Sequence, residues 1–301
     1  MAAVPSRLKT FVVVIALACG VLAAPAAPVA QRGATSDGVP RRIVSLVPAT
    51  TEMLFDMGQG ARIAGVGSYD RFPPDVEKLP RLGGLLDPGV EQLIAIKPDL
   101  AIVYDTQADL RKQLERAGIP MFLYRHEGLS DISVTMRELG QRIGSGEAAD
   151  AAAKRLESQL ADIRSRVAGR VRPRTLLVFG RQPGSLRGIN ASGGYGFLHD
   201  LVELAGAADV LADVRQAAVS MSTEMVLARA PDVIIEVHYG ASLQGLQIER
   251  ERRVWDALPS VPAVRNGRIY LLTGDEFVVP GPRVIIAARR FAETLHPAAF
   301  R

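Results

Sequence analysis

The chain has 301 residues, 48% hydrophobic and 23% charged, which suits one large domain or two medium ones and excludes a disordered chain. Its formal charge of +4 counts Arg7 and Lys9 of an N-terminal leader, and the other basic residues are scattered among acids, as in ERERR at 249–253; that pattern argues against nucleic acid as a partner. A single cysteine, Cys19, leaves no disulfide for the mature fold, so stability must come from the core.

The leader comes first. Arg7 and Lys9 precede the apolar run Phe11 to Ala18, and small residues follow. This is the layout of a secretory signal peptide, too short and wrongly flanked for a spanning helix. A leader of residues 1–24, ending near Ala24-Pro25-Ala26, is one reading. In the other, ALACG resembles a lipobox and Cys19 becomes a lipidated N-terminus. Both place the protein outside the cytoplasm, in a periplasm or on the outer face of a membrane, with lipid at Cys19 as the sole membrane attachment. Residues 25–40, rich in Ala and Pro, read as a flexible tether.

RRIVSLVP (41–48) reads as a buried strand that Pro48 stops. TTEMLFDMG follows as a short helix, with Thr50 or Thr51 to cap it and Gly58 to end it. ARIAGVGSYD is a strand and its exit loop, and the Pro/Gly-rich stretch to Gly89 is loop. VEQLIAIK is a two-turn helix that Pro98 cannot continue, LAIVY a strand, ADLRKQLERAG a helix and IPMFLYR a strand. LSDISVTMRELGQRIG is a further helix. From Glu147 to Gly169 no Gly or Pro interrupts a stripe of Ala148, Ala152, Leu156, Leu160, Ile163 and Val167, the spacing of one long helix. The pattern then restarts: strand RTLLVFG, helix GGYGFLHDLVELAG, helix LQIERERRVWDAL, strand NGRIYLL and closing helix PGPRVIIAARRFAETL.

One phrase occurs twice. EQLIAIKPDLAIVYD (91–105) and EMVLARAPDVIIEVH (224–238) both start at Glu, reach Pro-Asp seven residues on, and run into aliphatic residues. In both, Pro ends a short helix and Asp turns the chain into a strand. The expected fold class is therefore α/β: two α/β lobes with mainly parallel central sheets, bridged by one long rigid helix. The expected division is an N-terminal lobe at 41–144, the bridging helix at 145–169 and a C-terminal lobe at 170–301.

Catalytic signatures are absent from the sequence. There is no G-x-S-x-G, and GGYG at 193–196 lacks the remainder of a dinucleotide or phosphate loop. The four histidines, His126, His199, His238 and His296, form no local metal pair. His126 and His238 each follow a strand, where ligands of such sheets gather, so a metal site or enzyme built on them is the competing class. Tyr69, Tyr104, Tyr124, Tyr195, Tyr239 and Phe277 fall at strand ends or in the loops beyond, a ring of flat surfaces for a large ligand. Glu91 and Glu224 stand in the first turns of matching helices, where they complement the helix dipole or meet a two-fold partner.

With SYDRFPP (68–74), VWDALPSVPAVRNGRIYLL (254–272) and PGPRVIIAARRF (280–291), these phrases resemble the bacterial substrate-binding proteins of cobalamin and ferric-siderophore importers, over residues 41–296. The resemblance implies two lobes on one helix, a ligand held between them, no catalytic step, no cofactor of the protein's own and a monomeric carrier. It implies as partner an ABC importer, a permease dimer with its ATPase, and identifies Glu91 and Glu224 as the residues that dock on permease arginines. An orphan sensor of the same fold would lack that partner. Cobalamin binders are the nearest subgroup: Tyr69 matches an aromatic of their pocket, Tyr104 stands where they often carry Trp, and Asp275 and Phe277 fall in the loop over the corrin. Leu85 and Ala218 stand where a cobalamin binder has Trp, Trp255 lies in a helix away from the pocket, and no Tyr stands at Leu85 or Leu86 as in heme binders. The expected ligand site is Tyr69, Tyr104, Tyr195 and Phe277 for apolar contact, with Arg187, His238 and Asp275 at the rim. The alternative cargo is a ferric siderophore, for which Arg187 and Arg125 supply positive charge.

Overall fold

A computed structural model describes residues 38–240, 243 and 245–301; the leader, with Cys19, lies outside them. The first half comprises β1 (Ile43–Ser45), α1 (Pro48–Asp56), β2 (Ile63–Val66), α2 (Val90–Ala95), β3 (Leu100–Tyr104), α3 (Ala108–Arg116), β4 (Met121–Tyr124) and α4 (Asp131–Arg142). Its four strands are all parallel, in the order β2-β1-β3-β4. The aliphatic runs of β1 and β3 follow from this, since helices cover both faces of such a sheet.

The second half comprises β5 (Arg174–Gly180), β6 (Ile189–Ser192), α6 (Phe197–Leu204), β7 (Ala208–Asp209), β8 (Ala218–Met221), α7 (Thr223–Arg229), β9 (Val233–His238), α8 (Leu246–Arg253), α9 (Pro262–Arg265), β10 (Ile269–Thr273) and α10 (Val284–Leu295). Its sheet runs β10-β9-β5-β6-β8, with β7 also on β5. The pairs of β5, β9, β10 and β7 are parallel, whereas β6 is antiparallel to both β5 and β8. This second sheet is therefore mixed, and β6, β7 and β8 have no counterpart in the sequence reading.

Between the halves runs α5 (Gly146–Val167), packed along α4 and against α6 and α10. Its buried stripe is Ala149, Ala152, Ala153, Leu156, Ile163 and Val167. Ala148, which the periodicity placed in the stripe, is exposed, and its neighbour Ala149 takes the buried position instead. Gly140 lets α4 and α5 approach, since a Cβ there would lie 2.1 Å from that of Ala149. Arg137 of α4 ties the pair by bonds to Asp150 (3.0 Å) and to both oxygens of Glu157 (2.6 and 2.9 Å).

The start of α1 also differs from the sequence reading. β1 already stops at Ser45, and Pro48 is the first helical residue, where its missing N–H costs no hydrogen bond. Thr50 and Thr51 lie inside the helix and do not cap it; their hydroxyls donate to the Val47 carbonyl at 2.9 and 3.2 Å. Gly58, at φ +73°, does end it.

The repeated phrase is one structural unit built twice. Asp99 accepts from the Arg41 and Arg42 amides at 2.7 and 2.9 Å, and Asp232 accepts from the Arg174 amide at 3.2 Å. The Asp99 amide donates to the Arg42 carbonyl (3.1 Å) and the Asp232 amide to that of Arg174 (2.8 Å). The arginines complete the unit. Arg42 donates to the carbonyl of Ile96 at the end of α2 (2.8 Å), and Arg174 to that of Arg229 at the end of α7 (2.7 Å). Each cation sits on the negative end of a helix and satisfies a carbonyl that has no partner within it. Lys97 and Ala230, the residues before each Pro, both take the left-handed conformation, at φ +54° and +43°. Replacing Asp99 or Asp232 by Ala is expected to cost about 1 kcal/mol each, the usual worth of a cap, read from urea unfolding midpoints. No change at either position would show that the lock adds nothing to stability.

Candidate functional site

Parallel strands put their carboxyl ends on one side of each sheet, and the segments that leave those ends meet across the two lobes. On one flank Arg71, beyond β2, donates to the Gly240 carbonyl beyond β9 (2.9 Å) and lies 3.8 Å from Asp275, beyond β10. Asp275 also accepts from the Gly240 amide at 3.0 Å. On the other flank the Tyr195 hydroxyl donates to Glu127, beyond β4, at 3.0 Å, and the Leu129 amide donates to Asp200 at 2.8 Å. β2 and β4 are the edges of the first sheet, so these contacts bracket the ends of β1 and β3. The space between faces the ends of β5 and β9. This is the topological position at which α/β sheets bind ligands.

A third contact closes the Arg71 flank from beneath. Arg283 before α10 bonds Glu52 of α1 at 2.6 Å and Glu276 at 3.3 Å, with its guanidinium 4.3 Å from the Phe72 ring centroid. Burial pushes the Glu52 carboxyl up, a rise that the Arg283 bond opposes without cancelling. Asp70 nearby is buried too, and neither of its carboxylate oxygens has a hydrogen-bond partner among the described residues. Burial raises it to about 7.

The expected ligand residues divide between cleft, clasp and core. Tyr69, 52% exposed, lies at the exit of β2 with its ring over Gly84, where a Cβ would come within 2.8 Å of it. The Leu85–Leu86 loop follows, exposed and fastened by a bond from Gln107 to the Leu85 carbonyl at 3.0 Å. Tyr104 ends β3 half-buried, edge-on to Tyr124 at 5.7 Å, with burial pushing its hydroxyl up to about 12. Tyr195 is exposed but engaged by Glu127, and Asp275 by Gly240 and Arg71. Arg187 is exposed in the β5–β6 hairpin. Phe277 corrects the sequence reading: it is 2% exposed and stacked on Phe291 at 5.6 Å, so it packs the core and presents no face to the cleft. Ala218 begins β8 half-buried, and Arg125 is paired with Asp105 at 3.0 Å.

The two histidines of the competing reading have different neighbours. His126 is enclosed by Tyr124 and Phe197, and burial lowers it to about 4, so it stays neutral. His238 places Nε2 2.8 Å from Glu236. Among the described residues no group of three or more His, Cys, Asp or Glu could hold a metal ion.

The sequence reading missed the charged floor beneath His238. Arg181, at the end of β5, and Glu236, within β9, are each 1% exposed and lie 2.9 Å apart. Arg181 also bonds Glu251 at 2.8 Å, and Trp255 Nε1 donates to Glu236 at 2.9 Å. Burial drives the Glu236 carboxyl up, but His238, Arg181 and Trp255 outweigh it and leave it below the usual range. The available signal was Glu236 itself: a carboxylate inside VIIEVH must find a cation or donors when that strand is buried.

Two α/β lobes on one helix, with aromatic and charged residues gathered at the facing strand ends, define a two-lobed ligand binder. The chain belongs to the periplasmic binding protein family, whose model matches residues 43–276. It is 30% identical over 256 residues to the vitamin B12-binding protein of Salmonella choleraesuis, covering 84% of this chain and 90% of that one. It is 27% identical over 267 residues to an uncharacterized ABC transporter substrate-binding lipoprotein of Bacillus subtilis, covering 87% and 82%. The fold superposes on the periplasmic vitamin B12 binding protein BtuF of Vibrio cholerae with a TM-score of 0.73, at 23% identity, over 87% of this chain and 99% of that one. Among the described residues no helix is long and apolar enough to cross a membrane.

Burial of Asp70 ties the stability of the fold to pH. Its carboxyl is raised from 3.8 to about 7, so the folded state holds a proton that the unfolded state gives up. The stability this confers is complete below pH 3.8 and is lost as pH rises through about 7. Unfolding titrations from pH 4 to 8 should therefore show Asp70→Asn gaining on the wild type as pH rises. Parallel stability curves would contradict this.

Proposed function

We propose that the protein is an exported carrier that captures a corrinoid between its lobes and delivers it to an ABC importer. The observation that carries the ligand class is the pair of exposed rings, Tyr69 and Tyr195, one on each side of a cleft bracketed by Arg71 and Glu127. Flat rings offer a large planar ligand broad apolar contact at low cost in side-chain entropy. His238, Asp275 and Arg187 supply polar and charged groups for the amide-bearing periphery of a corrin. The vitamin B12-binding protein at 30% identity supports the same class.

Glu91 and Glu224 are the proposed docking carboxylates. Both are exposed, and the Ser222 hydroxyl holds Glu224 below the usual carboxylate range, so it stays charged. The lipoprotein relative supports attachment at Cys19 as the means of holding the carrier near its importer.

Calorimetric titration of residues 38–301 with cyanocobalamin should give tight one-to-one binding, weakened about tenfold or more in Tyr69→Ala by loss of a ring contact. A folded protein that takes up no cyanocobalamin would overturn the ligand class, and ferric siderophores would be titrated next. Glu91→Ala with Glu224→Ala should leave that binding intact while uptake into cells falls; unchanged uptake would remove the docking role.

A further inference from the structure

The two halves of the repeated phrase match in more than their first and last residues. At the fourth position stand Ile94 and Leu227, 38% and 41% exposed. The position before each, Leu93 and Val226, is fully buried in both. Each exposed aliphatic lies three residues beyond its glutamate, one turn along the same helix face. The lock of Asp99 with Arg42, and of Asp232 with Arg174, fixes both helices against their sheets in the same way. α2 and α7 lead directly into parallel strands, so their first turns lie at the carboxyl edge of each sheet, the edge that faces the cleft.

A single exposed aliphatic residue is ordinary on a protein surface. Two at the same position of an internal repeat, equally exposed and each beside a carboxylate, are a shared surface. We infer that Glu91 with Ile94 and Glu224 with Leu227 form two equivalent charged-and-apolar footprints. The partner that fits them is a membrane protein dimer whose two halves each offer a basic side chain beside an apolar socket, straddling the cleft. Charge complementarity selects the basic group, and the repetition selects two-fold symmetry. Within each footprint the carboxylate guides encounter, while the aliphatic side chain gives up half-exposed surface to the socket and slows release. The inference rests on the proposed docking role and adds the apolar half of the contact.

The test uses the full-length protein in its own cells and its importer in nanodiscs. A photoactivatable residue at position 94 and another at 227 should each crosslink to a permease subunit of an ABC importer, identified by mass spectrometry. A control at Glu115 on α3 should not. Affinity for that importer, without ligand, should fall about fivefold in Ile94→Ser, by a similar factor in Leu227→Ser, and at least tenfold in the double variant. Cyanocobalamin binding by the variants serves as the check on folding, with thermal unfolding as a second check that needs no ligand. Wild-type affinity in the double variant, or a loss confined to one lobe, would overturn the inference. If Glu91→Ala with Glu224→Ala also docked normally, the docking reading itself would fall; if only the glutamate pair mattered, the apolar footprint alone would.

Discussion

The placement of the two matching outer helices depends on how a helix is stopped and turned into a strand. Asp99 and Asp232 each bond the backbone at the start of the neighbouring strand, while Arg42 and Arg174 hold the carbonyl end of the helix just completed. The left-handed residue before each Pro stops the helix, and Pro prevents its resumption. Because the unit is built from short-range bonds of fixed geometry, the residues at its far end are fixed too. The placement of Glu91 and Glu224 follows from carboxylates eight residues further along.

The cleft is governed by a different balance. Its flanks are closed by polar contacts, Arg71 with Gly240 and Asp275, Tyr195 with Glu127, while Arg283 and Glu52 meet below. Exposed pairs of this kind are individually weak and exchange readily with water. The Glu52–Arg283 pair is different, because its groups are largely withdrawn from solvent, and separating them would leave a buried charge without its partner. The rim is therefore easily opened, whereas the base resists. The Arg181–Glu236 floor belongs with the base: it is buried, bonded on several sides and set under His238.

Most of the fold was legible because its strongest elements carry the pattern their surroundings require. Parallel strands covered on both faces must be aliphatic throughout, and LAIVY and VIIEVH are nearly so. Among the strands that escaped are β6 and β8, whose INAS and AVSM segments are short, small and partly polar. Their pairing is set by the strand alongside each, β5 for β6 and β6 for β8, not by their own composition. The start of α1 escaped because Pro48 suits both a strand end and a first helical turn. In the site, positions at strand ends were readable from topology, and Tyr69 and Tyr104 lie where that logic puts them. The burial of Phe277 was not readable, since a loop aromatic faces solvent or core according to what lies beneath it, here Phe291. The Tyr195–Glu127 bond joins the two lobes, and sequence neighbours carry no trace of it.

The helix α5 runs unbroken for 22 residues between the lobes. An α-helix advances about 100° per residue, so the length of this one sets an angle as well as a distance. One residue inserted or lost within it would swing one lobe about the other by roughly that angle. Arg71 would no longer find Gly240, and the two glutamates would point to unrelated directions. Change in this stretch is thus confined to substitution: its residues can be exchanged on the solvent side, but their number is counted by the two surfaces at its ends.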